Sequence, residues 1–482
     1  MAGPPGTAPG PAVAERGLFG GVFAHGDVDT GDQAWLTAML HTEAALARAL
    51  ERAGLAPAGT GAAVTEAADA ATFDAADLGR QAALTGNPVP ALVRALTQRV
   101  PAGAAAAVHK GATSQDIIDT AAMLLAQRAL TAVAADLSAA ADATAGLAAG
   151  HRDTVMIGRT LLQHAVPVTF GLVAAGWLTG LDEAHADVDR VRAGRLAVQF
   201  GGAAGTLSSL GTDGPRVAGL LAGELGLPLP VLPWHTDRLR IVAVAASCAG
   251  AAAALGKIAR DVTLLAQSEV GEVREGGEAR AGGLRRGGSS AMPHKRNPVA
   301  AIAILGCTRQ VPGLLATLAA AAEQEHQRAA GAWHSEWEPF ADLLRLTGSA
   351  ASWGAELLAG LRVDAARMRA NLDATGGLPL AERVSGLLTP VVGAVAAHDL
   401  VAQASAVAVT AGLPLRAALL DDPDLRARLD AAGVTPDQVG SALDPSGYLG
   451  AAGEFVDAAL AAHRAAAAGP FHEGEASAPA GG

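Results

Sequence analysis

Two cysteines, Cys248 and Cys307, are the full complement in 482 residues. So few exclude a disulfide framework and a metal cluster built from cysteines. Aromatic side chains make up only 3% of the chain and charged ones only 17%, and acids outnumber bases to leave a net charge of −12. That balance argues against a nucleic-acid surface. Residues 1–14 are rich in Pro, Gly and Ala and lack the basic start and apolar run of a secretory signal. The apolar run 241–256 is mostly alanine and reads as too short to span a bilayer. The expectation is a soluble cytoplasmic protein with neither a membrane nor a nucleic-acid partner.

What the chain does have is alanine. Half of its residues are apolar, and thin side chains of strong helix propensity predict long helices packed closely together. Trp35, Met39, Leu46, Leu50 and Ala53 fall on one helical face, which Leu36 and Leu40 widen. Asp116 is placed to cap a helix that begins at Ile117 and Ile118. Val244, Cys248, Ala251, Leu255, Ile258, Val262 and Leu265 step alternately by four and three, a heptad seam. Either a helix between subunits or one buried inside the chain would show it. No useful strand alternation and no internal repeat are visible. The pattern predicts an all-α protein with flexible tails at 1–17 and 469–482, an N-terminal helical domain at 18–112, a central bundle at 113–361 and a C-terminal helical domain at 362–468. Seven glycines among charged residues between Gly271 and Gly288 mark 271–298 as a mobile loop.

That loop ends in Gly288-Ser289-Ser290-Ala291-Met292-Pro293-His294-Lys295-Arg296-Asn297-Pro298. A helix lead-in before Pro298 needs one cap, not this mixture of hydroxyls, cations and an amide. The segment resembles the signature S-S-x-M-P-x-K-x-N-P of the aspartase/fumarase superfamily, and every fixed position matches. Two more stretches resemble that superfamily's active-site regions. His109-Lys110-Gly111-Ala112-Thr113-Ser114-Gln115-Asp116 is close to H-x-G-x-T-S-x-D. Its hydroxyls and free amides at a helix start form a carboxylate seat, or else serve only as caps. Gly158-Arg159-Thr160-Leu161-Leu162-Gln163-His164, continuing to Gly171, resembles G-R-T-x-x-Q-x-A-x-P-x-T-F-G, with Gln199 and the glycines at 201 and 202 following.

Family members that cleave adenylosuccinate carry a histidine directly after G-R-T, where this chain has Leu161. The resemblance therefore implies no such cleavage by the usual residues. The branch acting on 3-carboxy-cis,cis-muconate also lacks that histidine and shares the L-Q-H-A continuation. Pro233-Trp234-His235-Thr236-Asp237-Arg238, Gly331-Ala332-Trp333-His334-Ser335-Glu336-Trp337 and Leu443-Asp444-Pro445-Ser446-Gly447-Tyr448-Leu449-Gly450 look like that branch as well. The resemblance runs from about Gly17 to His463.

By that resemblance the fold is three-domain and all-α, with a homotetramer that builds each active site from three subunits. The reaction is proton transfer beside a carboxylate, through a carbanion held as its aci-carboxylate. Fixed cations and hydrogen-bond donors must hold that charge. Ser289 would be the base, activated by Lys295 and loop amides. Thr113, Ser114, Gln115, Arg159, Thr160, Gln199, Arg238, Ser290, Met292 and Asn297 would contact substrate, and Arg238 is a candidate carboxylate clamp. His109, His164, His235 and His334 are further candidates; His164 and His334 also read as structural. No metal or organic cofactor is required. The implied reaction is lactonising cycloisomerisation of a small di- or tricarboxylate. The alternative is a lyase releasing fumarate from a substituted succinate, such as nitrosuccinate with loss of nitrite. A non-catalytic structural relative is disfavoured by the intact Ser289, Lys295 and Asn297.

Overall fold

The computed structural model describes residues 17–276, 286–288, 291, 292 and 294–467. Long helices dominate them. Helix α1 spans Asp32–Arg52 and α2 spans Ser114–Gly150. The second contains 37 residues without a proline, so it extends about 55 Å at the ordinary rise. A hairpin follows, strand β1 at Val155–Thr160 and β2 at Gln163–Thr169. The chain then runs into α3, Phe170–Gly194, where the Thr169 hydroxyl accepts the Leu172 N–H at 3.1 Å as an N-cap. Helix α4 is Leu239–Leu265, β3 is Val273–Glu275, α5 is Val299–Thr308, α6 is Val311–Ala320 and α7 is Trp337–Gly360. Strand β4, Leu361–Val363, pairs antiparallel with β3. Helices α2, α3, α4, α5 and α7 pack on one another as the bundle.

The heptad seam is buried throughout, from Val244 to Leu265. It faces α3, α5 and α7 of the same chain. The seam thus belongs to intrachain packing and carries no information on assembly. The expected shortness of the run 241–256 also fails, because the helix continues for 27 residues. Four described helices are long and apolar enough to cross a membrane by length and composition. In α2 most of that apolar stretch is covered by the chain itself; in α4 half is, and in α5 with α6 only a third. The exposed remainder is apolar surface of the kind that subunit contact buries.

The β1–β2 hairpin is the element the sequence hid. Its two-residue turn is Leu161-Leu162, both left-handed at φ 52° and 64°. Such turns ordinarily announce themselves by Asn or Gly, and here neither is present.

Beyond β4 lie α8, Ala381–Val392, α9, Ala394–Ala411, and α10, Ala452–Ala467. Val384, Leu388, Leu400, Leu415 and Leu429 belong to a second hydrophobic core. Helix α10 returns to the bundle: Val456 joins the first core, Arg152 forks onto Asp457, and His463 sits between Asp182 and Asp142.

Candidate active site

The first turns of α2 hold a dense buried polar network. Asp116, 1% exposed, accepts the Thr113, Gly201 and Gly202 N–H groups at 3.0 Å each and the His235 ring at 2.7 Å. One carboxylate thus ties the helix start to the Gly201-Gly202 turn and to the segment Pro233-Trp234-His235. Glycine is required in that turn. Gly202 has φ +66°, and a Cβ there would stand 2.9 Å from the Gly111 carbonyl.

One helical turn on, Asp119 accepts from Arg238 Nη1 and Nη2 at 2.7 and 2.9 Å. Trp333 Nε1 donates to it at 2.9 Å, and the Gln115 and Gln199 amides at 3.2 Å. Arg238 is 2% exposed and also binds Glu336, through Nη2 at 2.6 Å and Nε at 3.0 Å. Burial opposes its charge, but the two carboxylates outweigh that and keep it protonated. Burial pushes Glu336 above the ordinary carboxylate range; Arg238 only partly offsets this, and the nearby Asp119 charge adds to it. This corrects the expectation for Arg238. Its donors are consumed inside the fold, and it braces the site instead of clamping a substrate. Gln199, also buried, accepts the Trp234 N–H at 2.9 Å. Gln115 donates to the His235 carbonyl at 2.8 Å. Both are braces too, as is His235. Arg328, absent from the sequence reading, donates to the Gly202 and Ala203 carbonyls at 2.6 and 3.0 Å.

What this frame presents outward is the half-buried turn His109–Ser114. His109 is left-handed, φ 59°, and a fully buried glutamate grips it. Glu43 takes the His109 ring Nδ1 at 2.6 Å and its main-chain N–H at 3.0 Å.

The hairpin is fixed elsewhere. Arg159 forks onto buried Glu272 with two bonds of 2.8 Å, which orients its guanidinium. Beyond it Thr160, Leu161, Leu162 and His164 are exposed, Leu161 at 96%. His164 is thus not packed inside this chain. His334 packs edge-on against Trp333 and beside Trp337, at centroid distances of 5.1 and 4.8 Å.

The signature forms a third neighbourhood. Ser289 and Ser290 lie outside the described residues. The residues flanking them form a stem, with Gly288 bridged to Arg296 and the Asn297 N–H donating to the Gly287 carbonyl at 2.9 Å. A Cβ on Gly287 would stand 2.3 Å from the Asn297 carbonyl oxygen. Lys295 and Met292 are exposed and Asn297 is half-buried. Two clasps hold the stem. Glu275 accepts the Ala300 and Ala301 N–H groups at 3.1 and 2.9 Å, at the start of α5. Arg286 pairs with Glu356 on α7 and lies 4.8 Å over the Trp353 ring. His25 stacks on that ring at 3.7 Å and bonds Glu356 at 2.6 Å.

A helical bundle carrying these three motif-bearing neighbourhoods defines a lyase of the aspartase/fumarase type. The chain belongs to that family: the lyase family model matches residues 29–313. It is 47% identical to a 3-carboxy-cis,cis-muconate cycloisomerase of Bradyrhizobium diazoefficiens, over 89% of this chain and 94% of that one. It is 46% identical to a nitrosuccinate lyase of Streptomyces davaonensis, over 93% and 95%. The crystal structure of the 3-carboxy-cis,cis-muconate lactonizing enzyme of Pseudomonas putida superposes with a TM-score of 0.84 at 42% identity, covering 93% of this chain and 99% of that one.

Proposed function

We propose that the protein is a lactonising cycloisomerase acting on 3-carboxy-cis,cis-muconate. A substrate carboxylate oxygen bonds to one alkene carbon, and the electron pair moves to the neighbouring carbon. The carboxylate attached there holds the charge as its aci form, and a proton is then delivered to that carbon. Ser289 handles that proton, taking it in the reverse direction. Lys295 and Asn297 stabilise the aci-carboxylate, and Thr113, Ser114 and His109 seat another carboxylate. The observation that carries the reading is Leu161 at the exposed hairpin tip. With no proton donor there, the group that leaves in the reverse direction must be a weak base. A carboxylate is one, with a conjugate-acid pKa of about 4, whereas an amine is not.

Nitrite is also a weak base, and the similarity to a nitrosuccinate lyase supports nitrosuccinate elimination as the second reading. The motif residues lie in three neighbourhoods of one chain, and the outer faces of α4, α5 and α6 are apolar. Both facts support a homotetramer with shared sites.

Loss of diene absorbance with carboxymuconate and nitrite release from nitrosuccinate separate the two readings. Turnover of neither would overturn both. With the competent substrate, Ser289→Ala should lower kcat by roughly 10²–10⁴-fold, Lys295→Met comparably, and Ser290→Ala less. Near-normal turnover by Ser289→Ala would move the proton to another group.

A further inference from the structure

Glu43 lies on α1 inside an apolar helix face, where Leu40, Ala44, Leu46 and Ala47 are all buried with it. A carboxylate in such a place is costly unless charge-matched and hydrogen-bonded. Its hydrogen-bond partners among the described residues both belong to His109: the main-chain N–H and the ring Nδ1. This double grip accounts for a non-glycine residue held at φ 59°. It also fixes the ring. With Nδ1 committed to Glu43, Nε2 has no hydrogen-bond partner among the described residues, on a side chain still 21% exposed.

We infer that Glu43 is a positioning residue that holds His109 as a fixed cation, its Nε2–H available to a substrate carboxylate at the seat formed by Thr113 and Ser114. The inference rests on the proposed carboxylate chemistry of that seat.

Charge supports the geometry. Burial works against the His109 imidazolium, but the hydrogen bond and charge of Glu43, and the charge of Asp116 on α2, outweigh it and hold the ring above the ordinary histidine range. Lys110, next in the chain, donates its ammonium to the Leu55 carbonyl. The cation therefore persists to higher pH than on an ordinary histidine and is lost as pH rises through the raised value.

The test uses the full-length enzyme. Glu43→Gln keeps the shape and removes the charge. At pH values between the ordinary and the raised histidine value it should lower kcat/KM by roughly 10- to 100-fold, the scale of a lost charge-assisted hydrogen bond. Most of that loss should fall in KM, and the alkaline limb of the pH profile should move to lower pH. Glu43→Asp should restore part of the limb. His109→Gln should show a similar loss with no limb, and it tests the inference even where Glu43→Gln does not fold. The double variant should be no worse than His109→Gln.

Calorimetric binding of tricarballylate, a simple tricarboxylate, needs no turnover. Its affinity should fall in the wild type as pH rises through the raised histidine value and lose that dependence in His109→Gln. This binding shift without turnover of either substrate would sink the proposed reaction and leave the dyad standing. Turnover with pH profiles and tricarballylate affinity unchanged in both variants would overturn the dyad alone.

Discussion

At its start, helix α2 buries Asp116 and Asp119 under donors: three amides and a histidine for one, an arginine, a tryptophan and two side-chain amides for the other. Further along the same helix Asp136 is also largely withdrawn from water, yet it accepts no hydrogen bond among the described residues. Its carboxyl is pushed up to about 6, first by burial and then by Asp27; His25 pulls it down and Glu356 raises it again. Glu356 itself is held down to about 2 by the His25 hydrogen bond, with Arg286 adding to it and burial opposing. The comparison separates two uses of a carboxylate. One saturated with donors fixes geometry, and three chain segments hang on it. One without donors is a penalty that protonation relieves, and this one stands beside the clasp that holds the signature stem.

The largest test of that contrast is Arg238→Met. It removes the cation between Asp119 and Glu336 and leaves two buried carboxylates uncompensated. Breaking a buried pair from one side costs about 3–5 kcal/mol, so denaturant unfolding should show a loss of that order. Arg238→Lys should recover little, because one ammonium cannot fork onto two carboxylates. A cost below 1 kcal/mol for Arg238→Met would mean that the network does not pin the fold.

Asp136→Asn should act in the opposite sense. The folded value near 6 lies above the ordinary 3.8, so charging this residue destabilises the folded state. That penalty is absent well below pH 4, grows as pH rises through the folded value and is complete above it. The variant should therefore be more stable than the wild type by about 1–3 kcal/mol at pH 8, with the gain shrinking towards pH 5. Thermal unfolding across that range measures it. An equal gain at pH 5 and 8 would point to packing, not to charge.

Sequence carried the helical class, the motif regions and the family, because alanine-rich periodicity and fixed motif spacings are local signals. It did not carry the division of labour inside the motifs. Arg159, Gln199 and Arg238 looked like substrate contacts and His235 like a further candidate, and the fold ties these four to Glu272, Asp119, Trp234, Glu336 and Asp116. Their partners lie far away in the chain, so spacing could not reveal them. Glu43 and Asp119 did leave a trace: each is an acid on an apolar helical face. The Leu161-Leu162 turn left none, since leucine carries no turn chemistry. The seam from Val244 to Leu265 was legible as a seam and ambiguous as to its partner, and the partner is the chain itself.

The smallest expected effect decides what makes Asp136 uncomfortable. Burial is the larger cause of its shift and the Asp27 charge the smaller. Asp27 is exposed, so water and salt screen its repulsion. Asp27→Asn should accordingly stabilise the protein by only a few tenths of a kcal/mol at pH 8, and the gain should fade in about 0.5 M salt. The Asp136→Asn gain should persist in that salt, because desolvation is not screened. The two should also be non-additive: with Asp136 already neutral, removing Asp27 has nothing left to relieve. Fading of both gains together in salt would reverse the ranking and make Asp136 a case of repulsion between neighbouring acids.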